Sequence, residues 1–130
     1  MPTPEPPPLP NTDLAQLVAA AADLCRKPLR HAVLPGQPGE VPRIEDCCLK
    51  IEVRGPDGER LPREDLELEL YRSGGQLNLT LAWATEPERP MLWHGLHPVW
   101  MAGETGQRCA RPLDGAPLEA LARRLRALLA

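Results

Sequence analysis

DCCLKIEVRGPDGERLPREDLELELYRSGGQLNLTLAW, residues 46–83, decides the fold. Cys47, Leu49, Ile51 and Val53 alternate with Asp46, Cys48, Lys50, Glu52 and Arg54. That is the period of a strand with one buried face. Leu66, Leu68 and Leu70 then alternate with Glu67 and Glu69, and Leu77, Leu79, Leu81 and Trp83 share one side of a third run. Gly55-Pro56-Asp57-Gly58 is a tight turn, after which Glu59 to Leu61 pairs back briefly before Pro62. Ser73-Gly74-Gly75 supplies the turn chemistry of a hairpin between the second and third runs.

Helical patterns lie on either side. Leu14, Leu17, Val18, Ala21, Leu24 and Cys25 recur at i, i+3, i+4 and i+7 and predict a first helix over Asp13–Arg26. Asn11, Thr12 or Asp13 caps it, Arg26 and Lys27 suit its negative end, and Pro28 stops it. Leu118, Leu121, Ala122, Leu125, Leu128 and Leu129 make the stripe of a second helix, Pro117 to about Leu129, with Arg123, Arg124 and Arg126 off the stripe. Leu34 to Pro42, with three prolines and two glycines, reads as a loop. The order helix, strands, helix, with one polar face per strand, predicts an α+β domain. It would be an antiparallel meander of three to five strands with both helices on its apolar face.

The 130 residues suit one such domain over 13–130, preceded by a disordered, proline-rich leader at 1–12. Phe is absent and Tyr71 is the only tyrosine, so leucine, alanine and three tryptophans must fill the core. The first dozen residues show no signal-peptide pattern and no stretch approaches a membrane span, which predicts a soluble, cytoplasmic protein with no membrane partner and four reduced cysteines. Ten acids against five bases between Glu40 and Glu69 argue against a broad nucleic-acid surface. The arginines at 123–126 read as a solvated helix face rather than a nucleic-acid contact.

Motifs exclude more than they assign. There is no glycine-rich phosphate loop, Gly103-Glu104-Thr105-Gly106 is only a turn, and the single serine, Ser73, sits in a turn and not at a strand-to-helix elbow. Cys48 should face solvent if Cys47 faces inward, but no resolving cysteine or base is visible beside it. Glu52, Glu67 and Glu69 should share the outer sheet face with Lys50, Arg54, Tyr71, Asn78 and Thr80, a wet surface suited to ion pairs or recognition more than to acid–base work. No catalytic residue and no cofactor is called for.

MLWHGLHPVWM, residues 91–101, stands apart. Met91–His94 and Val99–Met101 read as two short strands joined through Gly95-Leu96-His97-Pro98, with Pro98 favouring an edge or turn. Tryptophan and methionine are enriched at binding surfaces, so Met91, Trp93, His94, His97 and Trp100 form a candidate protein-binding segment. Core cover is the competing role for Trp93 and Trp100, in a chain without phenylalanine. The segment is expected to close one end of the core and leave part of its apolar surface to a protein partner. The leading expectation is therefore a small non-catalytic binding or accessory protein. The alternative is a metal- or small-ligand-binding domain, perhaps enzymatic, using His94, His97 and a cysteine such as Cys109. Gly95 and Pro98 work against the helical geometry that would bring the two imidazoles together, and no Cys-x-x-Cys pair exists.

Overall fold

The computed structural model describes residues 11–37 and 45–129, with side chains from Leu14 onward in the first helix. The proline-rich leader and the capping side chains at 11–13 lie outside the described residues. Helix α1 is Asn11–Cys25. Seven strands follow: β1 Arg30–Pro35, β2 Asp46–Arg54, β3 Leu66–Ser73, β4 Gln76–Trp83, β5 Met91–His94, β6 Pro98–Met101 and β7 Arg108–Cys109. Helix α2, Ala116–Leu129, follows β7. The strands form one antiparallel sheet in sequence order. The chain is thus α+β, with helices at both ends of a seven-strand meander and packed against it.

Seven strands replace the three to five expected from the sequence. The addition at one edge is β1, whose last two residues fall inside the predicted Leu34–Pro42 loop. At the other edge β7 is two residues long and pairs only with Trp100 and Met101. Between them the inward rows predicted from the alternation hold, but Asn78, expected on the wet outer face, is buried at 6% exposure. Leu49 faces Leu68, and Leu68 faces Leu81, so the leucines of β2, β3 and β4 form rows across the sheet. Gly74 and Gly75 both have positive φ, at 60° and 81°, and close the two-residue turn between Ser73 and Gln76. A left-handed pair of this kind matches the strand twist, and glycine adopts it without a Cβ penalty.

One core cluster joins the inward rows to Val18, Ala21 and Ala22 of α1 and to Leu118, Leu121, Ala122 and Leu125 of α2. Two stripe residues depart from expectation. Leu24 is 51% exposed and Leu128 is 46% exposed, since each lies at the margin of its helix's apolar arc. Cys25 is half-buried against the core, not within it.

The β2–β3 connection is held by one carboxylate. Asp65 accepts the Val53 N–H at 2.8 Å and both terminal nitrogens of Arg60, at 2.7 and 3.0 Å. Arg60 also donates to the Val53 carbonyl, and Leu61 N–H does the same. The brief return pairing predicted at 59–61 is thus present as a single bridge between Arg54 and Arg60.

Candidate functional site

Residues 91–101 form a hairpin at the β4 side of the sheet, with Met91 opposite Met101, Leu92 opposite Trp100, Trp93 opposite Val99 and His94 opposite Pro98. Strand alternation splits the candidate residues between two faces. Leu92, His94 and Trp100 point into the core; Met91, Trp93, Val99 and Met101 point out and are half-buried. Trp100 is 5% exposed and donates from Nε1 to Glu119 Oε2 at 2.8 Å, which ties β6 to α2. His97 is exposed in the turn beside Leu96. The five residues grouped by sequence therefore do not form one surface. Met91 and Trp93 share the outer face, His97 lies at the turn, and His94 and Trp100 belong to the interior.

On the outer face, the Trp93 indole N–H donates to the Tyr71 hydroxyl at 2.8 Å. Its ring also lies across Gly95, where a Cβ would come within 2.6 Å of the indole. Tyr71 and Gly95 thereby fix the position of the ring on the outer face. Beside it Met91 and Ala82 continue into a shallow concavity of about 430 Å³ that also touches Cys48, Lys50, Glu67 and Glu69. The outer surface is thus apolar over β5–β6 and charged over β2–β3. Lys50 and Glu67 share the outer face, as the alternation predicts, and stand opposite each other in the register. Cys48 is exposed and Cys47 buried, also as predicted.

Another concavity, of about 790 Å³, lies elsewhere, between the end of α1, the 3-10 turn Pro62–Glu64 and the start of α2. Trp83 contributes an apolar wall, with the Arg89 guanidinium 3.4 Å from the ring centroid and Arg26 at 5.9 Å. Its guanidiniums are engaged. Arg26 pairs with Glu64 at 2.9 Å, Arg63 with Glu86 at 3.3 Å, and Arg89 with Glu86 and Asp114. A ligand anion would have to displace carboxylates already in place, so the cleft reads as an ionic seam between elements. It leaves no mark in the sequence, because Arg26, Glu64, Trp83, Arg89 and Asp114 are scattered along the chain.

A third recess, about 470 Å³, is bounded by His94, Leu96, His97, Pro98, Arg123 and Arg126. His94 is 3% exposed and its Nδ1 lies 2.9 Å from the Gly95 carbonyl oxygen. Its Nε2 is buried and has no hydrogen-bond partner among the described residues. An unmet buried polar atom costs on the order of 1–3 kcal/mol. Burial first, and then the nearby Arg126 and Arg123, push the imidazole's pKa below 6.5, although the Gly95 contact and Glu119 work the other way.

No group of three or more His, Cys, Asp or Glu side chains among the described residues is arranged to hold a metal ion. Cys109, the third member of the candidate metal set, is on β7, opposite Trp100. No helix among the described residues is long and apolar enough to cross a membrane. No curated protein and no solved structure matches the chain. A family model described as "Domain of unknown function (DUF8659)" matches residues 15–128, which span both helices' buried faces and all seven strands, and the chain belongs to that family.

Proposed function

We propose that this protein is a small non-catalytic binding module that docks a protein partner on the outer face of its sheet. The observation that carries the reading is the half-buried apolar strip of Met91, Trp93, Val99 and Met101, four large side chains on adjacent short strands. Each faces away from the core that Leu92 and Trp100 complete. Exposed scattered leucines need no explanation, but a contiguous strip with a tryptophan fixed by Tyr71 is the kind of preorganised anchor found at interface centres. Glu67 and Glu69 lie beside it on the same face and would favour a partner with basic groups flanking an aliphatic or methionine contact. The reading places the protein in the cytoplasm, where Cys25 and Cys109 would persist as thiols. It needs no cofactor and assigns no nucleic-acid or membrane contact.

Site-specific photo-crosslinking in native cells tests this directly. A photoreactive residue at Val99 or Met101 is expected to yield the same adduct from both positions, and Trp93→Ala should abolish it. A probe at Asp57, in the β2–β3 turn, provides the background. Adducts at Val99 and Met101 no different from those at Asp57 would overturn the proposal.

A further inference from the structure

The recess at His94 shows a mismatch that a particular ligand chemistry would resolve. The Gly95 carbonyl can only accept, so His94 Nδ1 carries the proton in the contact between them and Nε2 is a bare acceptor. That nitrogen is buried and has no donor among the described residues. Around the same recess stand two guanidiniums with donors that no other side chain among the described residues fully engages. Arg126 uses its Nε on the Leu77 carbonyl at 3.1 Å, and its two terminal nitrogens have no partner among the described residues. Arg123 has only Glu119, at 3.9 Å, and its side chain is 62% exposed. Two cationic side chains therefore line one concavity, and the His94 ring that also lines it carries a neutral acceptor buried beneath its surface.

A carboxylate or a sulfate satisfies the arginines and leaves Nε2 bare, because neither brings a proton near neutral pH. A phosphate group with one remaining acidic hydroxyl satisfies all three. Its second ionisation falls near pH 6 to 7, so a protonated oxygen is available at little cost. We propose that this recess binds the phosphate group of a small phosphate compound, with Arg123 and Arg126 holding two oxygens and His94 Nε2 sharing the group's proton. No covalent bond forms or breaks; one proton lies between a phosphate oxygen and Nε2. The negative end of α2 opposes an anion here, but that partial charge is screened within the last turn, while two guanidiniums make charge-assisted bonds. Because this site uses the inner face and the end of α2, it stands or falls separately from partner docking on the outer face.

The test uses the full chain labelled with nitrogen-15 and follows the His94 ring nitrogens by NMR near neutral pH. The probes are inorganic phosphate, glycerol phosphate and sulfate at matched ionic strength. Both phosphates are expected to move the Nε2 resonance saturably, and sulfate is not. Whichever phosphate binds more tightly identifies the free ion or the ester as the natural form. Arg123→Ala should weaken binding about tenfold, which is the usual effect of losing about 1.4 kcal/mol. Its exposed side chain keeps this variant folded where Arg126→Ala could disturb the Leu77 contact. An unmoved His94, an equal response to sulfate, or an unchanged affinity in the Arg123 variant would each overturn the proposal.

Discussion

Asp23, His31, Arg26 and Glu64 form one line of hydrogen bonds that joins α1 to the start of β1 and to the 3-10 turn. His31 Nδ1 lies 2.8 Å from Asp23 Oδ1, Arg26 Nη1 lies 3.3 Å from His31 Nε2, and Arg26 Nη2 reaches Glu64 Oε2 at 2.9 Å. A guanidinium cannot accept, so Nε2 must be the acceptor and His31 must be the neutral, Nδ1-protonated tautomer. Burial is the main force lowering its pKa below 6.5, and Arg26 adds to it; the Asp23 hydrogen bond and charge oppose both. The folded state therefore holds its proton less tightly than the unfolded chain. Stability from His31 is fully present above pH 6.5 and is lost as pH falls through the depressed folded value. His94 has the same sign, so the two contributions add. Urea denaturation between about pH 8 and pH 5 should show declining stability on the acid side. His31→Asn keeps a donor for Asp23 and cannot gain the proton, so it should reduce that slope by the His31 share. An identical slope in both proteins would refute the assignment. None of this line was readable in advance. His31 drew no attention in sequence because its meaning comes from Asp23 and Glu64, which only the fold brings to it.

The elements divide by how they display their burial. The strands β2, β3 and β4 were legible because each has a leucine-rich core face alternating with a more polar one, which writes a period of two into the sequence, even though the outer face of β4 is itself largely covered. β1 was not. It is an edge strand, and its burial pattern is weak, with His31 and Val33 only half-buried. It also ends in Pro35, which reads as loop composition. The same features protect the edge. Gly36 N–H donates to the Cys48 carbonyl, so the odd-numbered N–H groups of β1 face away from β2. Among these, His31 N–H is taken by Asp23 Oδ1 at 2.9 Å and Pro35 has none, leaving Val33 as the one outward donor between Arg30 and Pro35. Such an edge is a poor template for strand addition, which favours the sheet's face over its rim as a docking surface. Between elements, Trp100 is the link most open to a clean test. Trp100→Phe keeps the ring in the core but leaves buried Glu119 without its 2.8 Å donor; Arg111 at 3.6 Å and Arg123 at 3.9 Å compensate only in part. A loss of roughly 1–3 kcal/mol in urea unfolding is expected. A loss below about 0.5 kcal/mol would mean that the arginines suffice and the indole contact is idle.

At the scale of the molecule, residues 91–101 were readable as two short paired strands but could not be resolved into faces. These strands are four residues each, too short for alternation to announce which side is core. The outcome follows from the neighbours. Leu81 on β4 stands opposite Leu92, which fixes Leu92 inward and therefore Met91 and Trp93 outward. Trp100, opposite Leu92, must then face inward too. This sorting makes a prediction about light emission. Trp83 and Trp100 are 4% and 5% exposed, with their N–H groups engaged by the Pro90 carbonyl and by Glu119. Trp93 alone among the three is half-buried on the outer face. Collisional quenching by acrylamide requires contact with the ring, so Trp93 should carry most of the quenchable fluorescence of the folded protein. Trp93→Phe should leave emission that acrylamide barely reaches, with a thermal midpoint close to that of the parent because no core contact is lost. Trp83→Phe and Trp100→Phe should instead keep the quenchable component. If the Trp93 variant is quenched as steeply as the parent, the indole is not on the accessible face, the register of β5 against β4 is shifted by one residue, and the docking strip loses its anchor.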